Sequence, residues 1–299
     1  MSSLVRPLFS GPIDIVGDLH GDVEALERLL SHLHYDAQGI HPHGRRLVFV
    51  GDLVDRGPDS VSLVRRIRSF VEQGVAQCVL GNHELNLMLG KRKANNGWFF
   101  GHKDGGLVVV KDKAVRDELL AFFQSLPLAL VREDARIVHA CWQPDMIDMA
   151  TTANDTIEFY EFHAFGTRLG LAQRADLKPW QREMRLQNLN PVKVLTSGLE
   201  VQAKSSVEID GKKRLLERYP WWQDYEDAEF CFFGHYSLPF RIPRDASRAI
   251  CVDYGLSKRW VGSKKQFPHD EYRLGAYRYP EHFVVFDNGQ LVEQHVHAT

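Results

Sequence analysis

The sequence lacks the features of a disulfide-stabilised or a membrane-spanning protein. Only four of its 299 residues are cysteine, and each is isolated among apolar residues, without CxxC spacing. They are Cys78, Cys141, Cys231 and Cys251. We interpret them as reduced core residues rather than zinc ligands or disulfide partners. No run approaches the ~18 to 20 apolar residues of a transmembrane helix, and no signal-peptide core precedes Pro7. We therefore expect a cytoplasmic protein without membrane contacts.

An excess of charge of one sign is also missing. The 37 Lys and Arg residues nearly balance the 39 Asp and Glu residues, and the formal net charge is -2. We therefore expect no nucleic-acid polymer as a partner, and any anion site must be local. The 44% of hydrophobic residues exclude general disorder. No repeat, low-complexity tract or linker marks a boundary, so we predict one domain over residues 1–299.

Short apolar runs rich in β-branched residues recur along the chain, and several end at a glycine or a polar residue. Such runs are typical of strands that are buried on both faces. They lie at 12–17, 46–51, 76–81, 136–140, 193–198, 229–234 and 249–255. Amphipathic stretches at 23–33 and 60–74 separate the first three runs, with Ser60 as a candidate N-cap and Gly74 as a stop signal. This alternation predicts an α/β fold with a partly parallel sheet.

Two other regions have different patterns. Near the end of the chain, two alternating runs are joined by Asp287-Asn288-Gly289, which predicts an antiparallel hairpin. Residues from about 145 to 228 are rich in charge and tryptophan, and only 193–198 has a strand pattern there. We therefore predict that residues 145–228 form an insertion of helices and loops.

Polar side chains follow several of the runs, at positions where stability alone would not place them. They are Asp18 and His20 in GDLHG, Asp52, Asp55 and Arg56 in GDLVDRG, Asn82, His83 and Glu84 in GNHE, and His139 and His235 after two later runs. Because ligands bind at the carboxyl ends of strands in α/β sheets, we expect these groups to converge on one crevice. Turn preference explains Asp and Asn at strand ends, but not the histidines or the repeated Gly-Asp pairs. We expect Glu84 to begin a helix and anchor its loop.

Six of these side chains form a ligand set of carboxylates, imidazoles and an amide without a thiolate. They are Asp18, His20, Asp52, Asn82, His139 and His235. This set suits Mn, Fe, Ni or Zn, of which we expect Mn. Six ligands are too many for one catalytic ion, but they fit two divalent ions ~3.5 to 4 Å apart that share a carboxylate. Such a pair activates a bridging water and clamps a phosphoryl group, so the sequence predicts a dinuclear hydrolase of phosphorylated substrates.

With these motifs, the sequence resembles the calcineurin-like metallophosphoesterase superfamily. The blocks GDLHG, GDLVDRG, GNHE, the His139 block and GHYSLP stand in family order between residues 17 and 239. Within the superfamily the sequence is similar to the phosphoprotein phosphatase type, which includes serine/threonine phosphatases and symmetrical dinucleoside tetraphosphatases. The resemblance implies a four-layer α/β/β/α sandwich of mixed sheets.

The resemblance also implies how the ligands divide between the two ions. The first ion would be held by Asp18, His20 and Asp52, and the second by Asp52, Asn82, His139 and His235. One departure leaves the substrate open. The family protein phosphatases usually have two small glycines after this histidine, whereas here the chain continues with Ala140, Cys141 and Trp142. The wall beside the ligand is therefore bulkier.

The remaining polar residues have roles that follow from charge development. The leaving group needs a proton donor opposite the attacking hydroxide, and His83 is the candidate. Asp55 resembles the family carboxylate that hydrogen-bonds this imidazole. Arg56 offers a planar fork to phosphate oxygens, and Asn82 can both bind a metal and donate to phosphate. The candidates for a second phosphate-binding arginine are Arg168, Arg214 and Arg218.

Three functions remain open at this stage. The preferred hypothesis is a dinuclear metal-dependent phosphatase that hydrolyses phosphomonoesters, such as phosphoserine or phosphothreonine, by in-line attack of a metal-bridging hydroxide. The alternative is a hydrolase similar to symmetrical bis(5'-nucleosyl)-tetraphosphatases. A non-catalytic scaffold of the same fold is disfavoured, because the proton donor and all six candidate ligands are present. The sequence leaves the substrate, the native metal and the oligomeric state open.

Overall fold

The computed structural model describes residues 3–102, 107–209, 212–238, 248–260 and 271–294, without the side chains of residues 206–209 and 212–214. The strands in this part of the chain are Val5–Pro7 (β1), Ile13–Val16 (β2), Arg46–Phe49 (β3), Ala76–Cys78 (β4), Ala129–Val131 (β5), Ala135–Val138 (β6), Glu200–Ile209 (β7), Lys212–Arg218 (β8), Phe230–Phe233 (β9), Ala249–Cys251 (β10), Gly275–Tyr279 (β11), Phe283–Phe286 (β12) and Leu291–Glu293 (β13). The α-helices are Val23–His32 (α1), Ser60–Glu72 (α2), Asn82–Met88 (α3), Lys113–Ser125 (α4), Pro144–Thr151 (α5), Thr156–Ala172 (α6), Pro179–Asn188 (α7) and Pro191–Ser197 (α8). Two short 3-10 helices cover Trp221–Asp224 and Leu256–Arg259.

Two mixed sheets form the centre of the fold. One sheet has the strand order β1-β5-β6-β9-β10, and the other has the order β13-β12-β11-β2-β3-β4. Strands β2, β3 and β4 run parallel, as the βαβ alternation predicted, and β11 pairs antiparallel with β2. The predicted hairpin is also confirmed, because β12 and β13 are antiparallel neighbours.

Alternate side chains of the central strands face two different apolar clusters. In β2, Ile13 and Ile15 belong to one cluster with Val48 of β3 and Phe232 of β9, which joins the facing sheets. Val16 belongs to a second cluster, which packs beneath the helices. Helices α1 and α2 contact the six-stranded sheet, and α5 contacts the five-stranded sheet. This arrangement confirms the α/β/β/α sandwich with its two layers of sheet.

The prediction of a strand at residues 193–198 is wrong, because Pro191–Ser197 forms α8. The side chain of Asn190 accepts a hydrogen bond from the backbone N–H of Lys193, and Pro191 occupies the first turn. A short buried helix and a buried strand have the same apolar composition, so the periodicity of seven residues could not separate them. The Asn-Pro start was the signal for a helix.

The hairpin of β7 and β8 is absent from the sequence prediction, which expected helices and loops throughout this region. The sequence has Asp210-Gly211 between the two strands, a dipeptide typical of tight hairpins, although these two residues lie outside the described part. Helices α5 to α8 confirm that the region is mainly helical up to residue 197. The division into a single domain with an insertion at about 145–228 stays a prediction.

The start of α2 differs from its prediction in a way that matters for the site. The side chain of Asp59 caps this helix by accepting from the backbone N–H of Ser62, so Ser60 is not the N-cap. The hydroxyl of Ser60 instead accepts a hydrogen bond from the backbone N–H of Asp55, at 3.0 Å. Gly74 follows the helix with φ of 73°, as expected of a stop signal.

The described part of the chain bears on two of the missing features, the disulfides and the membrane-spanning helices. All four cysteines are buried thiols outside any disulfide, and burial raises the pKa of the Cys78 and Cys231 thiols well above the usual value. None of the described helices has both the length and the apolar composition needed to cross a bilayer.

Candidate active site

The candidate site lies where five strands end. Three segments, which we call the site segments, follow β2, β3 and β4 at residues 17–22, 51–57 and 81–84. His139 directly follows β6, and His235 comes two residues after β9. The predicted convergence of these groups is what the structure shows.

Asp52 lies at the centre of the cluster. One ligand atom from each of His20, Asp52 and His83 lies within 4.8 Å of the others, and the same holds for Asp52, His139 and His235. The Nε2 atom of His139 is 3.3 Å from Oδ1 of Asp52, and Nε2 of His20 is 3.8 Å from its Oδ2. Asp52 is thus the carboxylate shared by both groups.

The other predicted ligands lie around these two groups. Oδ2 of Asp18 is 4.0 Å from Nε2 of His20, and both oxygens of Asp18 accept from the backbone N–H of His235. Oδ1 of Asn82 is 2.7 Å from Nδ1 of His235 and 3.3 Å from Nε2 of His139. The structure therefore brings all six predicted ligands together.

The backbone of the site is strained at the residues that carry the chemistry. A left-handed φ between 45° and 71° occurs at His20, Asp52, Asp55, Arg56 and His235. Each such residue costs about 1 to 3 kcal/mol and persists only where the surroundings enforce it. Neighbouring glycines permit the close approach: a Cβ atom on Gly57 would lie 2.1 Å from the carbonyl oxygen of His20. This backbone conformation thus lowers stability, and it orients these side chains.

The hydrogen-bonding pattern fits bound cations. The Nδ1 atoms of His20 and His139 lie 3.0 and 2.6 Å from backbone carbonyl oxygens, so Nδ1 donates in each ring and Nε2 is left facing Asp52. Each Nε2 atom and the carboxylate oxygen that faces it are both acceptors, so a proton or a cation must lie between them. Burial lowers the pKa of His20 and His235 well below the usual range, which keeps these rings in the neutral form that binds metals. The Nε2 atom of His235 is buried and has no hydrogen-bond partner among the described residues.

The charges of the site also fit bound cations. Burial and the neighbouring carboxylates of Asp253 and Asp52 raise the pKa of Asp18 well above its usual value. Burial would also raise the pKa of Asp52, but the imidazoles of His139 and His83 hold it well below the usual range. Three crowded carboxylates are short of positive charge, and divalent cations supply what is missing. The residues therefore fit the metal ions that the family implies.

His83 is held differently from the other histidines. Its Nδ1 lies 2.6 Å from Oδ2 of Asp55, and the other oxygen of Asp55 accepts from Nε1 of Trp98 at 2.7 Å. Its Nε2 is 3.9 Å from Oδ2 of Asp52. Burial would lower the pKa of His83, but Asp52 and Asp55 outweigh it, so the pKa is raised. The pairing with Asp55 is the one the resemblance implied, whereas Trp98 was not predicted.

Two arginines lie at the site. Nη1 of Arg56 donates to Oγ of Ser257 at 2.8 Å and lies 3.4 Å from Nε2 of His20. The exposed side chain of Arg218 donates to the carbonyl oxygen of His235 at 3.1 Å. Of the three arginines considered for this place, Arg218 is the one that the described residues bring to the site.

The other two candidate arginines have different positions. Arg168 is exposed on α6, where its Nη1 is 3.7 Å from Oε2 of Glu161. The side chain of Arg214 lies outside the described residues. Neither is brought to the site by the described structure.

Two buried acids complete the surroundings of the ligands. Glu84 accepts hydrogen bonds from the backbone N–H groups of Asp52, Leu53 and Gly81, which confirms that it anchors the loop. Asp253 was missed, although it stands in the apolar run 249–255, just as Asp18 directly follows the apolar run 12–17. Ser257 was also missed, since no local pattern separates it from an ordinary turn serine.

The fold and this buried cluster define a metal-dependent phosphoesterase, and the comparison with protein families agrees. The model of the calcineurin-like phosphoesterases matches residues 11–258. The chain belongs to this family.

Its relatives include dinucleoside tetraphosphatases. The chain is 46% identical to the asymmetrical bis(5'-nucleosyl)-tetraphosphatase PrpE of Geobacillus sp. (strain WCH70), over 90% of this chain and 91% of that protein. It is 38% identical to the symmetrical bis(5'-nucleosyl)-tetraphosphatase of Pseudomonas syringae pv. syringae (strain B728a), over 42% of this chain and 40% of that protein. Two further PrpE relatives are matched over only 30% and 55% of their own length.

Among solved structures, the fold is similar to that of a cold-active protein-tyrosine phosphatase of a psychrophile Shewanella species. The TM-score is 0.51, the identity is 14%, and the match covers 96% of this chain and 81% of that chain. At this identity the likeness concerns the fold alone.

Proposed function

We propose that the enzyme hydrolyses dinucleoside polyphosphates of the bis(5'-nucleosyl)-tetraphosphate class. The observation that carries this proposal is the 46% identity to a PrpE-type tetraphosphatase over 90% of the chain. It supports the alternative of the sequence analysis rather than the phosphomonoesterase hypothesis. The bond cleaved is then a phosphoanhydride.

The charges at the mouth of the site support a substrate with more than one phosphate. Arg56 and Arg218 both reach the site, and Lys258 donates to the carbonyl oxygen of Ser237, two residues after His235. Burial lowers the pKa of Lys258, and the positive charges of Arg56 and Arg218 lower it further. A polyphosphate chain carries more negative charge than one phosphomonoester, so a group of three cations suits it better.

The six converging ligands would hold two divalent ions, with Asp52 between them. Asp18, His20 and Asp52 would hold one ion, and Asp52, Asn82, His139 and His235 the other. Mn²⁺ suits this mixed nitrogen and oxygen set. When bound, such a pair supplies a nucleophilic hydroxide at neutral pH and stabilises charge on the phosphoryl oxygens.

Protonation of the leaving group is the task of His83. Asp55 accepts from Nδ1, and Asp52 and Asp55 together raise the pKa of the ring, which favours a proton on Nε2 that it can donate. Trp98 holds the second oxygen of Asp55 and so fixes the plane of the carboxylate. Arg56, positioned by Ser257, binds the phosphoryl oxygens in the bidentate manner of a guanidinium group.

Purified protein loaded separately with Mn²⁺, Ni²⁺, Zn²⁺ or Mg²⁺ tests this function. The substrates are bis(5'-adenosyl) tetraphosphate, a phosphoserine peptide and an aryl phosphate. We expect the highest kcat/KM on the tetraphosphate, with Mn²⁺ the best ion. Chromatography of the products separates symmetrical cleavage, which yields two ADP, from asymmetrical cleavage, which yields ATP and AMP. A higher kcat/KM on the phosphoserine peptide would overturn the proposal.

A further inference from the structure

Trp260 is an exposed aromatic residue that is tied to the candidate site at both ends. Its backbone N–H donates to the carbonyl oxygen of Ser257, whose hydroxyl contacts Arg56. Its indole Nε1 donates to Oδ2 of Asp22 at 3.0 Å, and Asp22 lies two residues after His20. The position of the ring is therefore set by two residues that belong to or adjoin the site.

The hydrogen bond of the indole holds the ring in place while leaving it open to solvent. Asp22 is buried and uses its other oxygen to cap α1 through the backbone N–H of Ala25, so both of its oxygens are hydrogen-bonded. Trp260 nevertheless keeps 45% of its surface exposed. A large apolar side chain that is ordered yet uncovered fits a binding role better than a packing role.

The distance along the 3-10 helix Leu256–Arg259 suits a nucleotide. Three residues of a 3-10 helix rise about 6 Å, which is comparable with the separation of phosphate and base across a ribose. Ser257 at one end contacts the phosphate-binding Arg56, and Trp260 follows the other end. Lys258 lies between them in the chain, and its Nζ donates to the carbonyl oxygen of Ser237 at 3.3 Å. One short segment, which contacts Arg56 through Ser257, thus carries both a cation and an aromatic ring.

We propose that residues 257–260 form a nucleotide subsite, in which Trp260 stacks on a nucleobase and Lys258 binds a phosphate next to the one held by Arg56. This inference rests on the proposed function and deepens it, because it names the part of the substrate that a simple phosphoester lacks. Stacking on an aromatic side chain is tolerant of base identity, since every base has a π face. The subsite accordingly selects nucleotides over other phosphates, and not one base over another.

Binding of ATP and of inorganic tripolyphosphate tests the subsite by calorimetry. The two ligands have the same number of phosphates and differ by the nucleoside, and no turnover is needed. We expect the parent protein to bind ATP about 5- to 150-fold more tightly than tripolyphosphate, the range for one stacked base. Trp260→Ala should remove this preference by weakening ATP alone, and Trp260→Tyr should keep most of it. Lys258→Met should weaken both ligands by the same factor.

Phe162→Ala is the matched control, because Phe162 is an exposed aromatic residue on α6, 73% exposed, and it should change neither affinity. Two results would overturn the subsite. One is a parent protein that binds both ligands equally, and the other is a Trp260→Ala variant that loses affinity for tripolyphosphate as much as for ATP, which would mean that Trp260 only supports Arg56. Failure to cleave bis(5'-adenosyl) tetraphosphate in the presence of an ATP preference would overturn the proposed function and leave the subsite standing.

Discussion

The site segments and the helical region of residues 144–197 differ in the side chains they bury and in their backbone conformation. In the site segments, charged groups such as Asp18 and Asp52 are buried, and the backbone is left-handed at residues that carry side chains. On α6, by contrast, Phe162 and Phe165 are exposed, and the backbone is an ordinary helix. The site segments thus contain charged side chains at positions that stability would not favour. The helical region has no fully buried charge.

The glycines of the two regions show the same contrast. A Cβ atom on Gly57 or Gly81 would meet backbone atoms at 2.1 or 2.3 Å, whereas one on Gly166 or Gly170 of α6 would meet nothing within 4 Å. Glycine is therefore required in the site segments for close approach and is replaceable in α6. The cost of function is therefore concentrated in a few short segments. The same substitution should consequently have unequal effects in the two regions.

The largest difference is expected for aspartate to asparagine. Asp52→Asn should release at least one metal ion per chain and lower kcat/KM on the order of 1,000-fold, because a neutral amide cannot bridge two cations. Asp176→Asn changes an exposed residue that pairs with Arg174 and should do neither. Metal analysis and kinetics on the two variants check this. Two tightly held ions and near-normal turnover in Asp52→Asn would contradict the dinuclear site.

The second difference concerns histidine. His83→Asn should keep both metal ions and lower the rate on an alkyl phosphate by about 100- to 10,000-fold, with a much smaller loss on an activated aryl phosphate, whose phenolate leaves with little help. Asp55→Asn should show the same pattern more mildly, since Asp55 acts through the ring. His163→Asn on α6 is the control and should leave both rates unchanged. Equal losses on both substrates, or a loss of metal, would instead make His83 a ligand or a phosphate binder.

The third difference concerns arginine. Arg56→Ala should weaken inhibition by inorganic phosphate by about 1.5 to 3 kcal/mol, the value of a lost charge-assisted contact, and should leave the metal content unchanged. Arg168→Ala removes a guanidinium group from the exposed face of α6 and should leave phosphate inhibition unchanged. If both variants bind phosphate as the parent does, Arg56 is not part of the site.

The smallest difference is in stability, and its sign should reverse between the regions. Gly57→Ala should destabilise the protein by about 1 to 3 kcal/mol, because the new Cβ forces the His20 segment to move. Gly166→Ala should stabilise it by about 0.5 to 1 kcal/mol, since alanine loses less entropy in a helix and has open space around it. Urea unfolding measures both. If both substitutions changed the free energy of unfolding with the same sign, the proposed difference between the glycines of the two regions would be wrong.

Local sequence patterns were sufficient for the parts of the site that lie next to strand ends. Asp18, Asp52 and Asn82 follow the three parallel strands β2, β3 and β4 of one sheet, and the ends of such strands meet at a single edge. The pairing of His83 with Asp55 came from the family resemblance and is present at 2.6 Å. The roles of these residues stay predictions until the variants are measured.

The same patterns were insufficient where length or distance along the chain mattered. The helix at Pro191–Ser197 was mistaken for a strand, because seven apolar-rich residues carry too little periodicity to decide. Trp98 and Ser257 contact Asp55 and Arg56 across 43 and 201 positions of the sequence. No motif links residues so far apart.

The sequence by itself determined the class of fold, the six candidate ligands and the candidate proton donor, because each depends on residue types at short, regular spacings. Only the tertiary structure decided which arginine joins Arg56 at the site, that Asp253 adds a carboxylate behind Asp18, and that Trp260 is held open beside Ser257. The physical reason is that ligand types and strand ends are local properties of the chain. The partners that orient those groups are chosen by packing between segments that the sequence keeps far apart.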